Sequence, residues 1–435
     1  MEIWDEIIKA FQGIPVFGKI LSILILIFAI NELINKYTVE KLNPLKKLIE
    51  FIPKLVQKRL VQKRKKYYTV LGTKEYLEWQ TLVLSKIYDE FNFIIVLDWK
   101  YPTFCFPSKS VCKYPFKEVL DKNELDVNID NYKISSKLQK EYKKIVGTTI
   151  RRPLLKGYML NKLVVDEDNK VGSILAKVGT YEQNVYTSHI LEYELYRLYL
   201  SKAKDISKLK STELLKLLPL RNNIHKGCTQ IEVLSSGANR YSLLGVQMFV
   251  MFLDHDDNSY KVLVIKRSED VAQKPNFFQF IPSGGFEIFQ NFDDEFVLRN
   301  NFSLRLSLFR ELLEEAFGEE EFIHNDKGVP EESILSHDKI IYLTELLKIN
   351  KAHFEFLGSV NDVVSLRHLL TFVLRIDDIA FSKQIFLPNH ESKSIQLFKL
   401  DDLQQRIEKG KICNDSAGLL HLVLKNHLFT EVMSK

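Results

Sequence analysis

Apolar runs of strand length recur through the second half of the chain. SLLGVQMFVMFL (242–253) is one such run, DHDDN (254–258) is a turn, and YKVLVIKRS (260–268) alternates into a second strand. FFQFIPSGG (277–285) predicts a third strand ending at a glycine pair. HFEFLGSVNDV (353–363) and RHLLTFVLRID (367–377) predict two more, and SIQLFKLDDLQQRI (394–407) a strand entering a helix near Asp401 or Asp402. Upstream, EYLEWQTLVLSKIYDEF (75–91) has helical period, and NFIIVLDW (92–99) reads as a strand. PTFCFPSKSVCKYPF (102–116) carries three prolines and no regular period, so a loop is expected. LNKLVVDEDNKVGSILAKVGTY (160–181) predicts a hairpin turning at Glu167-Asp168-Asn169. SHILEYELYRLYLSK (188–202) and STELLKLLPLRN (211–222) predict amphipathic helices.

The N-terminal pattern is of another kind. Residues 10–31, AFQGIPVFGKILSILILIFAIN, hold a single charge, Lys19, and end in nearly unbroken aliphatics. A bilayer core takes about 20 apolar residues as a helix. The start, MEIWDEII, is acidic, and NELINKY offers no small-residue cleavage site, which argues against a signal peptide. A membrane span is the favoured reading and a buried helix the alternative. Glu2, Asp5 and Glu6 precede the run, whereas Lys36, Lys41, Lys46, Lys47, Lys54, Lys58, Arg59, Lys63, Arg64, Lys65 and Lys66 follow it. That asymmetry places the C-terminal bulk in the cytoplasm of a single-pass inner-membrane protein. Leu45, Leu48, Ile49, Ile52, Leu55 and Val56 at helical spacing make 41–66 a basic amphipathic segment suited to anionic lipid, or an ordinary basic linker helix.

The expected organisation is a transmembrane segment (1–40), the basic juxtamembrane linker (41–66), an α/β middle region (67–225) and a C-terminal α/β domain (226–435). At 435 residues the chain has room for two or three domains, and its 46% hydrophobic and 27% charged content is ordinary globular material. Cys105, Cys112, Cys228 and Cys413 lack CxxC spacing, which points to neither a zinc site nor a disulfide framework. A net charge of only +5 argues against a nucleic-acid partner. In the middle region IRRPLLKG (150–157) is the one tight basic group. Arg151 and Arg152 have bidentate phosphate geometry available, or belong to a surface turn.

Candidate chemistry concentrates at FRELLEEAFG (309–318), downstream of IPSGGFE (281–287). Glu311, Glu314 and Glu315 stand at i, i+3 and i+4 on one helical face. Neighbouring carboxylates repel, and a divalent cation with oxygen ligands would offset that cost. The blander reading is an acidic solvated face with Arg310 paired to Glu314.

Gly284-Gly285 followed by Arg310-Glu311-x-x-Glu314-Glu315 resembles the Nudix box, G-x5-E-x7-R-E-U-x-E-E-x-G-U, where U is apolar. The resemblance implies a Nudix-like fold over 240–435, a mixed sheet between helices, and carboxylates that hold Mg²⁺ against a diphosphate. Three departures stand out. The spacer from Gly285 to Arg310 is about 11 residues too long. Phe302 stands where the first box glutamate belongs. Phe317 takes the closing glycine's place, with Gly318 one further on.

A span, a middle region and a departing Nudix box in that order resemble the transmembrane-NUDIX effectors of bacterial cyclic-oligonucleotide antiphage systems (CBASS). That resemblance implies a receptor for a cyclic di- or trinucleotide, which assembles into homo-oligomers, disrupts the inner membrane and aborts infection. Lys266, Arg267, Gly284, Gly285 and Arg310 are then the expected ligand-binding residues, Lys19 the membrane residue, and no cofactor is required. The alternative is a membrane-tethered Nudix hydrolase with Glu311, Glu314 and Glu315 on Mg²⁺.

Overall fold

The computed structural model describes residues 58–113, 124–126, 136–147, 150, 154–201, 206–268, 274–288, 298–299, 301–319, 331–388 and 392–433. The expected span at 10–31, with Lys19, most of the basic linker, and Arg151-Arg152 lie outside them. The chain divides into two units, 1–66 and Tyr67–Lys435. In the first, residues 58–66 are helical. Among the described residues no helix is long and apolar enough to cross a membrane.

The second unit is mixed α/β. Among the described residues its strands are β1 (Ile95–Val96), β2 (Trp99–Lys100), β3 (Thr103–Lys113), β4 (Glu124–Asp126), β5 (Lys156–Val165), β6 (Val171–Thr180), β7 (Gly245–Leu253), β8 (Tyr260–Arg267), β9 (Phe278–Phe280), β10 (Ser283–Gly285), β11 (Ala352–Asp362), β12 (Arg367–Ile376) and β13 (Ser392–Lys399). All but the small β1–β2 hairpin join one sheet, ordered β13-β8-β7-β12-β11-β3-β6-β4. There β10 pairs with β7, β9 with β8, and β5 with β6. The neighbours β7 and β12 run parallel, Leu369 opposite Gly245, while β11 and β12 run antiparallel. The sheet crosses residue 226, so the two regions set apart there pack within one compact unit.

Strand β7 explains the layering. It is buried on both sides, as its unbroken apolar run requires. Val246, Met248, Val250 and Phe252 enter one core with Phe309, Leu312 and Leu313 of the helix Leu304–Ala316. Phe249 and Met251 point the other way, against Ala417, Leu419 and Leu420 of the helix Asn414–Val423. Alternation along the strand thus puts the sheet between helices, as expected. A third cluster gathers Tyr67, Tyr76, Tyr142, Tyr186, Tyr193 and Tyr196.

Three local expectations are corrected. The proline-bearing stretch at 102–116 holds the long strand β3, antiparallel to β11. Pro107 has no N–H to give the ladder, and the register skips at Phe356/Gly358, where Gly358 faces it. Gly358 has φ +135°, and a Cβ there would lie 2.2 Å from the Phe106 carbonyl oxygen. The stretch 92–99 holds only β1, because Leu97 and Asp98 turn left-handed and close a tight hairpin. The strand expected over 277–285 is split. β9 lies on β8 and β10 on β7, with Pro282 between them. The 160–181 hairpin forms as expected, with Asn169 left-handed in its turn.

Candidate functional site

The helix Leu304–Ala316 starts at Ser303, whose side chain accepts from the Leu306 N–H. From Leu306 to Ala316 every residue is buried, which rules out a solvated acidic face. Glu311, Glu314 and Glu315 are 7%, 5% and 4% exposed, and Arg310 is 2% exposed. Four charges this deep persist only when paired or protonated.

Arg310 supplies most of the pairing. Its guanidinium meets Glu311 closely, reaches Glu314 at 3.7 Å, and reaches Glu287 at 3.5 Å. It also donates to the Gly285 carbonyl at 3.3 Å. Glu315 accepts from the Ser283 backbone N–H at 2.6 Å. One cation thus meets three carboxylates, Glu287, Glu311 and Glu314, while Glu315 is held by the Ser283 N–H. Burial pushes the Glu311 carboxyl well up; Arg310 pulls it back, and the other glutamates raise it further.

The glycine pair is fitted to this helix. Gly284 and Gly285 pair with Val246 and Gly245 across β10 and β7. A Cβ on Gly284 would lie 2.0 Å from the Glu311 carboxyl carbon, so only glycine lets that carboxyl lie against the strand. The long spacer therefore does not keep the box apart: helix and glycine turn meet. Phe302, in the expected glutamate's place, stacks on Phe286 with ring centroids 5.0 Å apart. Glu287, two residues past the glycines, stands beside Arg310 instead. It was missed because spacing was counted along the chain, although it ends the quoted IPSGGFE.

The expected ligand residues fall in two places. Arg310 meets Glu287, Glu311 and Glu314 and donates to the Gly285 carbonyl. Lys266 lies over the Phe278 ring at 5.6 Å, and Arg267 donates to the Gln279 side chain. These two stand at the end of β8, while Gly284, Gly285 and Arg310 form a separate cluster on β10 and the box helix. The carboxylate donors of Glu311, Glu314 and Glu315 suit Mg²⁺ chemically. Among the described residues, ligand atoms of three such side chains come within 4.8 Å of one another only at Asp254, His255 and Asp256, an exposed turn.

Arg367, at the start of β12, is the second residue missed. A Cβ on Gly245 would meet its Nη2 at 3.0 Å and the Gly284 carbonyl oxygen at 3.1 Å, so Arg367 lies beside the glycine turn. Both Arg367 and Arg267 act electrostatically on Asp415, whose carboxyl burial pushes up. Asp415 thereby relates the end of β8 to the start of β12. The only available sequence signal was a lone cation opening an apolar strand.

No family model matches the chain, and no curated protein matches it. Among solved structures it is similar to the NUDIX domain of Shewanella oneidensis NrtR complexed with ADP ribose, at 16% identity and a TM-score of 0.26, covering 43% of this chain and 88% of that one. A MutT/nudix family protein from Enterococcus faecalis follows at 14% identity and TM-score 0.27, over 45% of this chain and 69% of that one. A NUDIX hydrolase from Alicyclobacillus acidocaldarius has 15% identity and TM-score 0.26, over 45% and 96%. These neighbours are Nudix proteins by name. At such TM-scores the likeness carries no argument, and function is argued from the chain's own residues.

Proposed function

We propose that Tyr67–Lys435 is a Nudix-like receptor for a nucleotide, in which the box has become structural. The observation that supports this is the internal commitment of its charges. Glu315 is held by the Ser283 N–H, Glu311 and Glu314 by Arg310, and the three carboxylates do not converge. A hydrolase of this type needs a cation gathered by carboxylates to polarise phosphate and water. A receptor needs no such cation.

The wider reading is a membrane effector of a cyclic-oligonucleotide antiphage system. The apolar segment at 10–31 anchors it in the inner membrane, and the receptor binds a cyclic di- or trinucleotide. Binding drives homo-oligomerisation, which turns Lys19 towards a shared hydrated interior and breaches the membrane. Support for this part comes from the sequence pattern alone.

The hydrolase reading retains one favourable observation. Glu287 restores a fourth carboxylate to the box, 3.5 Å from Arg310. The deciding experiment titrates the full chain with cyclic di- and trinucleotides and with ADP-ribose, while cleavage of the ADP-ribose diphosphate into AMP and ribose 5-phosphate is followed with Mg²⁺ present. Saturable binding without turnover is expected. Mg²⁺-dependent cleavage abolished by Glu314→Gln would replace the receptor by the hydrolase.

A further inference from the structure

The turn between β11 and β12 is held more completely than its length requires. All four carbonyls from Val363 to Leu366 accept side-chain hydrogen bonds. Arg221 donates to Val363 at 3.0 Å and to Val364 at 2.6 Å, and also to the Tyr88 hydroxyl at 2.9 Å. Ser188 donates to Ser365 at 2.7 Å. Ser242 and Arg240 donate to Leu366 at 3.0 and 3.2 Å. From the amide side, Asp362 accepts from the Val364 N–H and the Ser365 hydroxyl, and is itself held by Asn414 at 2.7 Å.

Two of these anchors are arginines, Arg221 at 0% and Arg240 at 2% exposure. Burying a guanidinium is costly, and here the expense goes into fixing backbone. Burial drops the Arg240 guanidinium to about 10, with Arg221 pushing the same way. Leu366, a γ-branched residue, is also forced to φ +53°. Strain that is over-determined by its surroundings marks positions where geometry is being set.

The residue so placed is Arg367. Its backbone follows the locked turn, and Leu369, two residues on, is registered against Gly245 of β7. Yet among the described residues no hydrogen bond or ion pair engages its guanidinium, whose Nε is buried without a partner. Gly245 leaves room for it beside the Gly284 carbonyl. A cation positioned by two buried arginines, which acts on Asp415 only through space and forms no hydrogen bond, is organised for an anion that arrives from outside.

We propose that Arg367 is an anion-binding residue beside the glycine turn, and that it takes a phosphate group of the ligand in a two-pronged hydrogen bond. The identity of the ligand as a nucleotide rests on the receptor reading above; the phosphate chemistry rests on Arg367. Residues 67–225 then have a defined part: Tyr88, Ser188 and Arg221 hold the turn that presents the guanidinium.

The test is calorimetry on the full chain, with a cyclic dinucleotide and inorganic pyrophosphate as probes, for the natural protein, Arg367→Gln and Arg367→Lys. Arg367→Gln is expected to weaken both probes at least tenfold with the melting temperature of the free protein unchanged. Arg367→Lys keeps the charge without the fork and should fall between. Pyrophosphate binding that is lost in Arg367→Gln, with no cyclic dinucleotide binding to the natural protein, would uphold Arg367 and remove the nucleotide reading. Equal binding of the cyclic dinucleotide by all three proteins would uphold the nucleotide reading and overturn this inference. So would failure of the natural protein to bind either probe.

Discussion

The box helix and the β11–β12 turn each place an arginine beside the same pair of glycines, and they treat it in opposite ways. Arg310 is enclosed by Glu287, Glu311 and Glu314 and by the Gly285 carbonyl. Arg367 has its backbone fixed and its guanidinium unpaired. A charge that its own protein neutralises contributes to folding. A charge held rigid, with Asp415 reached only through space and no hydrogen bond formed, is available for binding. The difference teaches that the recognisable motif need not be where the ligand is held.

The sharpest way to break this contrast is to exchange the two losses. Arg310→Met removes the cation that Glu287, Glu311 and Glu314 meet, and removing one side of a buried pair costs about 3–5 kcal/mol. Denaturant unfolding should show it, whereas Arg367→Gln should fall within about 0.5 kcal/mol of the natural protein. Comparable losses in both would end the contrast. Next in size is Arg221→Met, which strips donors from Val363, Val364 and Tyr88 together. About 3 kcal/mol is expected from stranding buried acceptors. Arg221 touches no proposed ligand atom, so weaker pyrophosphate binding in this variant at a temperature where it stays folded would tie the locked turn to Arg367.

Much of this frame was legible in the sequence. The buried runs at 245–253 and 260–267 announced β7 and β8, and the REXXEE pattern gave the box helix beside its glycine turn. What escaped has a common physical cause: the deciding partner is distant along the chain. Pro107 reads as a loop residue until Gly358, some 250 residues on, supplies the register skip that accommodates it. Glu287 stands beside Arg310 where a sequence count puts Phe302, because helix and glycine turn meet although the stretch between them is long. Arg221 and Ser188 appear as ordinary polar residues in helices, and no local pattern shows that they hold a turn at 363–366. The membrane segment at 10–31 was read from hydropathy alone and lies outside the described residues.

Acid separates the two regions by sign. His368, next to Arg367, is fully buried; its Nε2 accepts from Asn361 and its Nδ1 meets the Ser359 hydroxyl. Burial, aided by Arg240, lowers it to about 3, and His189 is likewise lowered to about 3, with Arg367 contributing. Depressed histidines favour the fold above their unfolded value near 6.5 and lose that contribution as pH falls towards 3. His368 alone should remove about 2 kcal/mol between pH 6.5 and 5. Glu311 runs the other way. Its raised carboxyl contributes most below the unfolded value near 4.3 and loses that contribution as pH rises through its folded value. Glu194, raised to about 7, also opposes the histidines between those limits. Denaturation curves at pH 7 and pH 5 should therefore converge for His368→Gln relative to the natural protein. An unchanged pH dependence would show that His368 titrates normally.

The smallest effect expected lies within the glycine pair itself. A methyl at Gly284 would fall 2.0 Å from a carboxyl that Arg310 holds in place, so Glu311 must leave its partner or the strand must move. A methyl at Gly285 would meet Leu243 at 3.1 Å and the Glu287 side chain at 3.3 Å, contacts that yield by a few tenths of an ångström. Gly284→Ala should therefore destabilise by on the order of 1 kcal/mol and Gly285→Ala by about half of that or less. Both substitutions lie on the Arg310 side of the contrast, so pyrophosphate affinity should change less than it does in Arg367→Gln. If Gly284→Ala abolished pyrophosphate binding while Arg367→Gln retained it, the anion would belong to the glycine turn, and the roles of the two arginines would be reversed.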